Sequence, residues 1–360
     1  MDTLTVSAPG RLCLFGEHQD YLGLPVISAA ISLRLTITGT RTSRREFVLH
    51  LPDLGGTVCF SSCEPVQYVQ PHDYIRSAVV VLQRHGFTFS RGIECTISSS
   101  IPMKAGTSSS SALSVAWTRF LALLSDQEAA LQPDELVQYA YEAEVVEFSE
   151  AGGMMDQCTS ALGGVLAIDF QPEFRVQRFA VELKEFVLGD SRQPKDTQAI
   201  LRRVRGGVTD IVRTLQKQYP DFALANVSSD ETGRYRRDLT AQQFELLKGT
   251  VRNYELTKEA RSVLSTMPLN HRRLGALLTQ HHRILRDVQQ ISTPKIDRML
   301  EAALDAGAYG GKINGSGGGG CMFVYAPERT EQVAEAIERA GGVAHIVHVD
   351  EGCRIETSSG

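Results

Sequence analysis

Arg11, Glu17, His18 and Asp20 fall in one short stretch near the start of the chain, GRLCLFGEHQDYLG (10–23). An apolar run breaks into Glu17-His18-Gln19-Asp20-Tyr21, turns at Gly23 and becomes apolar again. Two carboxylates and an imidazole in one loop supply several acceptors and a donor. A ligand with a dense set of hydroxyls needs such partners, and carboxylates bind hydroxyl pairs well. Taken alone, the segment also reads as solvated charge.

Three further segments offer chemistry. In IPMKAGTSSSSALSVAW (101–117), a glycine and four consecutive serines stand between a strand pattern and an apolar helix pattern. Capping a helix needs one serine. Gly106 lets backbone approach a ligand closely, and free amides at the positive end of a helix make an anion site, with phosphate the natural guest. The segment does not follow the Walker pattern G-x-x-x-x-G-K-[ST]. In EAEVVEFSEAGGMMDQCTS (142–160), Glu144 closes a helix and Asp156 follows Gly152-Gly153 in an apolar setting. A carboxylate beside an arginine can accept or orient a hydroxyl proton during phosphoryl transfer, whereas the plain reading of Asp156 is a helix cap. In KINGSGGGGC (312–321), five of the six residues from 315 to 320 are glycine, a density that lets backbone run close to other backbone or to a substrate.

Regular elements must position these groups. LTVSAP (4–9) alternates as a strand and is expected to end at Pro9-Gly10; VISAAISLRLTITG (26–39) reads as a long strand or strand pair. FVLHL and TVCF read as a hairpin, 73–86 as a helix ending at Gly86, and 93–102 as a strand closed by Pro102. Helices are expected at 112–124 and 133–148, with a strand at 163–170. The pattern changes near 172–183, which sets two domains at 1–177 and 178–360. The second half carries helices at 197–217, 240–264, 270–287 and 294–306, the glycine-rich run, an amphipathic helix at 330–341 and a strand at 343–349. No internal repeat is visible.

Composition narrows the class. Hydrophobic residues make up 42% and charged residues 22%, as in a globular protein with a large core. With 37 Lys+Arg against 42 Asp+Glu, the net charge of −5 gives no electrostatic case for nucleic acid or an anionic membrane. Seven scattered cysteines, an odd number, argue against a disulfide scaffold and for a reducing compartment. CFSSC (59–63) lacks a second ligand pair at zinc spacing. No apolar run reaches membrane-spanning length, and the first residues do not pattern as a signal peptide, so a cytoplasmic protein is expected.

Taken together, the four segments resemble the GHMP kinase superfamily, and within it the galactokinase branch. GRLCLFGEHQDY is similar to that branch's G-R-V-N-L-I-G-E-H-T-D-Y signature. IPMKAGTSSSSAL resembles its P-x-G-G-G-L-S-S-S-A-S loop, AEVVEFSEAGGMMDQ its A-E-H…G-I-M-D-Q-F stretch, and KINGSGGGGC its M-T-G-G-G-F-G-G-C motif. HHRILRDVQQISTPKIDRML also looks like the helix preceding that last motif, and the resemblance runs from about residue 5 to residue 350. The chain departs from the branch at Cys13 (usually Asn), Thr107 (Leu), Ser111 (Ala) and Gly318 (Phe), and 187–204 follows the pattern only loosely.

The resemblance implies an α+β fold of two domains: an N-terminal domain like that of ribosomal protein S5, a ferredoxin-like C-terminal domain, and a cleft between them. It implies transfer of the ATP γ-phosphoryl group to the anomeric hydroxyl of a sugar, galactose first, with arabinose, galacturonate, N-acetylgalactosamine or fucose as alternatives. By motif, Asp156 maps to the catalytic carboxylate and Arg11 to its cationic partner. Glu17, His18, Asp20 and Gly153 map to the sugar site. Lys104, Ala105, Gly106, Thr107, Ser108, Ser109, Ser110 and Ser111 map to the ATP loop. Ser110 and Glu144 map to a Mg2+ site, and Gly315, Ser316, Gly317, Gly318 and Gly319 to a loop along the cleft. The implied partners are sugar and ATP, not nucleic acid or membrane, in a monomer or homodimer. Two competing readings are a catalytically silent sugar and ATP sensor, and a kinase of mevalonate-like alcohols. The E-H-x-D pattern argues against the latter, whose substrates lack a comb of hydroxyls.

Overall fold

The computed structural model describes residues 3–356 other than Cys63, Lys104, Ala151 and Asp196. The elements, in chain order, are β1 (Leu4–Phe15), β2 (Val26–Thr42), β3 (Glu46–Leu51), β4 (Gly56–Ser61), α1 (Tyr74–Arg84), β5 (Gly92–Ser99), α2 (Ser109–Leu124), α3 (Pro133–Tyr141), α4 (Met155–Leu162), β6 (Val165–Asp169), β7 (Arg175–Arg178) and β8 (Phe186–Asp190). They continue as α5 (Thr197–Gln216), α6 (Ala241–Leu264), α7 (His271–Asp287), α8 (Pro294–Asp305), β9 (Gly310–Ile313), β10 (Cys321–Tyr325), α9 (Thr330–Arg339), β11 (Val343–Val347) and β12 (Arg354–Ile355).

Among the described residues the strands form two sheets, so the fold is α+β. The larger runs β12-β1-β2-β5-β3-β4, with β6 and β7 branching from β2; the smaller runs β11-β8-β10-β9. Pairing is antiparallel except between β3 and β5. The sheets change over between Arg178 and Phe186. β12, however, returns to pair with β1, so residues 354–355 belong by hydrogen bonding to the first sheet and not to the second half.

β1 does not stop at Pro9-Gly10. It runs on to Phe15, and register shifts between Pro9 and Arg11 and between Cys13 and Phe15 absorb the missing proline N–H. That irregularity carries the strand to Arg11 and into the cleft. α2 begins three residues before the expected 112, at the serines themselves. The helix expected over 133–148 is α-helical only to Tyr141 and then widens into a π-turn at Glu142–Val146, a local feature often found where a functional side chain is re-aimed. α4, β7, β8 and β12 were not expected.

α1, α2, α3 and α4 cover one face of the larger sheet around a core that includes Trp117, Phe120, Phe47 and Ile93. A second core joins the two halves: Leu12, Leu14, Phe15 and Ile27 pack with Leu256, Leu277, Leu278 and Phe323. Burying these side chains at about 25 cal/mol per Å² makes the contact between the halves part of the folded core and not a loose hinge.

Candidate functional site

A cleft of about 670 Å³ lies where β1, α2, α4 and the segment after β9 converge. Arg11, on β1, is 5% exposed. Its Nε donates to Asp156 Oδ1 at 2.7 Å and its Nη2 to Oδ2 at 3.0 Å, a two-pronged ion pair across 145 residues of sequence. Nη1 donates to the Gly106 carbonyl at 2.5 Å. Burial works against the guanidinium charge, but Asp156 outweighs it and raises the Arg11 pKa. Asp156 sits in the first turn of α4, where the helix dipole favours an anion, and its side chain keeps 29% exposure toward the cleft.

The serine segment faces the same carboxylate. Ser108 stands before α2 in a left-handed conformation, φ 58°, rare for a residue with a side chain. It does not cap the helix; its hydroxyl donates to Asp156 Oδ2 at 2.6 Å. With no side-chain cap hydrogen bond from Ser108, the first N–H groups of α2 are available to an anion at the helix head. Gly106, Ser108, Ser109, Ser110 and Ser111 line that cleft. Ala105 and Thr107 do not. The Ala105 carbonyl accepts from the Cys321 N–H at 2.7 Å, and the Thr107 carbonyl from the Arg11 N–H at 3.1 Å, so both are structural ties. Lys104 lies outside the described residues.

Glu144 is brought to this helix head by the π-turn. Its Oε1 accepts from the Ser111 hydroxyl at 3.0 Å and its Oε2 from Gln157 Nε2 at 2.6 Å. Burial, with Asp156 nearby, pushes its carboxyl up to about 7 against the opposing hydrogen bonds from Ser110, Ser111 and Gln157. A cation at this point would reverse that shift. One carboxylate and serine hydroxyls are hard oxygen donors, which suit Mg2+ because that ion keeps several of its waters. Among the described residues no group of three or more His, Cys, Asp or Glu could hold a metal.

The opening loop meets the cleft differently from the sequence expectation. Glu17, 2% exposed, pairs through Oε2 with Lys312 Nζ at 2.7 Å, and its Oε1 accepts from the Gly315 N–H. His18 uses both ring nitrogens: Nδ1 with the Tyr21 hydroxyl at 2.7 Å and Nε2 with the Ser316 carbonyl at 3.1 Å. A carbonyl only accepts, so Nε2 carries the proton and Nδ1 accepts from Tyr21. Burial lowers the His18 pKa to about 4, which keeps the ring neutral at physiological pH. Both residues line the cleft, yet their donors and acceptors go to protein. Asp20 keeps its capacity: Oδ1 accepts from the Tyr21 N–H at 2.9 Å, while Oδ2 lies against Gly153. A Cβ at Gly153 would strike this carboxylate, which is why that position is glycine. Burial, then the charge of Asp156, pushes Asp20 up to about 6.

Of the glycine-rich loop, only Gly315 and Ser316 line the cleft. A Cβ on Gly315 would come within 2.8 Å of the Gly106 carbonyl, so backbone here touches backbone, as the glycine density implies. Gly317 packs on Ile291, Gly318 on Ile200, and Gly319 against the Gln193 and Pro194 carbonyls. Ile200 occupies the volume beside Gly318, leaving no room for the larger side chain usual in the galactokinase branch.

Sequence reasoning missed four contributors. Lys195 enters the cleft between Gly106 and Ser316, with Nζ donating to Ser316 Oγ at 3.1 Å. Burial, and then the charge of Arg11, lowers its pKa to about 8. Its only signal was the pair of cations, Arg192 and Lys195, in SRQPKDT (191–197), within the segment that follows the family pattern only loosely. Gln157 braces Glu144 and could have been read from its place beside Asp156. The far wall is built by Tyr74 and His72, which both bond Glu150 Oε1, at 2.6 and 2.7 Å.

Comparisons with known proteins place the chain in a family. The profile "GHMP kinases N terminal domain" matches residues 73–164, "GHMP kinases C terminal" matches 262–343, and "Galactokinase galactose-binding signature" matches 2–41. A mevalonate kinase of Thermococcus gammatolerans is 31% identical over 364 residues, covering 97% of both chains. A galactokinase of Actinobacillus succinogenes is 29% identical over 364 residues, covering 96% of this chain and 92% of its own. The crystal structure of Lactococcus lactis galactokinase complexed with galactose superposes with a TM-score of 0.85 at 21% identity, over 98% of this chain and 95% of that one, a likeness of fold.

Proposed function

The chain belongs to the GHMP kinases, phosphotransferases that act on alcohol groups, and from that premise we propose an ATP-dependent sugar-1-kinase whose acceptor is the anomeric hydroxyl of a monosaccharide, galactose first. The observation that carries the reading is the Arg11–Asp156 pair at the open head of α2, with Asp20 beside it. The galactose-binding signature over residues 2–41 supports the sugar.

In this mechanism the sugar hydroxyls bind Asp20, and the anomeric hydroxyl lies against Asp156. Asp156 accepts its proton as the oxygen attacks the γ-phosphorus; an O–P bond forms, the bond to the leaving oxygen breaks, and ADP departs. Arg11 cannot give up its charge, so it holds Asp156 ionised and neutralises charge on the moving phosphoryl group. The amides and hydroxyls of Ser108–Ser111 seat the phosphates, with Lys195 facing them. Glu144 and Ser110 would hold Mg2+, which supplies charge neutralisation on the phosphate oxygens when bound. Because the transition state is loose, positioning and neutralisation suffice.

The identity to mevalonate kinases, together with a cation at Lys195 that could receive a carboxylate, favours a second reading: an acidic open-chain alcohol, or among sugars a uronic acid. The silent-sensor reading is disfavoured because Asp156, Arg11 and the serine segment are all present. The deciding experiment is coupled ADP release with Mg-ATP across galactose, arabinose, fucose, N-acetylgalactosamine, galacturonate and mevalonate. Sugar-dependent ADP release with product phosphorylated at the anomeric carbon is expected. Turnover with mevalonate alone would overturn the sugar assignment.

A further inference from the structure

The fully buried charge pair Lys312–Glu17 takes no part in the mechanism above. Lys312 is 0% exposed on β9; its Nζ donates to Glu17 Oε2 at 2.7 Å and to the Cys13 carbonyl at 2.8 Å, and it lies 5.1 Å over the Phe323 ring. Two residues on, and so on the same side of the extended chain, Asn314 is also 0% exposed. Its Oδ1 accepts from the Cys13 N–H at 3.0 Å, and its Nδ2 donates to the Gly106 carbonyl at 2.8 Å and the Arg11 carbonyl at 3.3 Å. The Gly106 carbonyl is the same acceptor that Arg11 Nη1 reaches. Glu17 in turn holds the Gly315 N–H, where the glycine loop enters the cleft.

A buried ion pair seldom stabilises a fold better than apolar residues of the same size, so stability alone does not account for this one. What it and Asn314 do is tie three chain segments distant in sequence to one another at the backbone of Arg11. The guanidinium fork then has a single orientation toward Asp156, and misplacing such a group by about 1 Å costs on the order of 100-fold in rate. We propose that Lys312 is a positioning residue for phosphoryl transfer. Through Glu17 it fixes the Gly315 amide, and together with Asn314 it fixes the Arg11 and Gly106 backbone that aims the catalytic pair. The proposal rests on the kinase reading only for its rate readout.

The test compares wild type with Lys312→Met, Lys312→Arg and the double variant Lys312→Met/Glu17→Gln, which removes both charges and leaves none stranded. The double variant is expected to melt within a few degrees of wild type, to lose about 30-fold or more in kcat, and to keep the KM for ATP and acceptor within about 3-fold. Lys312→Arg, which keeps a cation, should recover at least about a tenth of wild-type kcat, whereas Lys312→Met alone should lose both melting temperature and rate. Hydrogen exchange is the second arm: the Gly315 amide of the double variant should exchange about 10-fold faster or more while the sheets stay protected. A folded double variant with kcat within about 3-fold of wild type, or with Gly315 exchange unchanged, overturns the proposal. If wild type releases no ADP with any acceptor, the kinase reading fails, and the exchange arm still decides the coupling.

Discussion

Replacing Asp156 with asparagine probes the proposed chemistry most directly. Asp156 accepts three hydrogen bonds, two from Arg11 at 2.7 and 3.0 Å and one from Ser108 at 2.6 Å. An asparagine presents one acceptor oxygen where the carboxylate presented two, and its NH2 group faces donors. The variant loses the base and at least one charge-assisted bond. General-base catalysis contributes about 10²–10⁴ in rate, so kcat should fall at least about 100-fold, or about 2.7 kcal/mol in the barrier. Stability changes less. Stranding a fully buried charge costs about 3–5 kcal/mol, but Asp156 is 29% exposed and water can reach the vacated side of Arg11, so about 1–2 kcal/mol is expected. At roughly 2 °C per kcal/mol for a chain of this size, the melting point should drop by only a few degrees. The assay is initial-rate ADP release with calorimetric titration of the sugar on the same preparation. Expected are a rate loss of about 100-fold and a sugar Kd within about 3-fold of wild type. A folded variant turning over within about 3-fold of wild type would refute the assignment of Asp156 as base.

Glu144→Gln should raise the Mg2+ concentration at half-maximal rate about 10-fold; an unmoved metal titration removes Glu144 as a ligand. Burial pushes the metal-free Glu144 carboxyl up to about 7, so below that pH a proton competes with Mg2+ for it, and at sub-saturating Mg2+ the wild-type rate should decline on the acid side of about 7. The glutamine variant should lack that limb. Asp20→Asn should raise the sugar KM about 10-fold and leave the ATP KM within about 2-fold; equal losses point to a folding role. Lys195→Met should raise the KM of whichever ligand carries the facing anion. As Lys195 loses its proton above about 8, kcat/KM for that ligand should fall on the alkaline side in wild type and stay flat in the variant. Identical alkaline limbs in both would rule Lys195 out.

Much of this molecule was legible before any coordinates. Helices α7 and α8 follow apolar spacing, and α6, α7 and α8 carry capping residues at Thr240, Asn270 and Thr293. The meeting of Arg11 with Asp156, 2.7 Å apart in the structure, was legible only through the family resemblance, which assigns both residues to one cleft. Local patterns failed where tertiary contacts decide. Pro9-Gly10 signals a strand end to any local reading, yet a bulge carries the pairing through because β2 continues alongside. α4 is an eight-residue helix following a glycine pair, too short to display a period. For Glu17 and His18 the residue types were right for a sugar site, but their partners lie 295 and 298 residues away, at Lys312 and Ser316. No spacing rule could have assigned those valences. Lys195 was visible as a cation, without any indication of which way the chain would carry it.

The pairing of β12 with β1 sets the order in which this protein can be completed. Without Arg354 and Ile355, β1 is an edge whose hydrogen-bonding groups around Val6 and Ser7 have no partner on that side. Those closing residues are synthesised about 340 positions after β1, which at 5–20 residues per second means about 17–70 seconds on the ribosome. Throughout that interval the strand bearing Arg11 presents an open border to solvent and to neighbouring nascent chains. Newly made molecules should therefore depend on chaperones more than finished ones do, and a missense change at Cys353 or Arg354 should depress yield far more than it slows the mature enzyme.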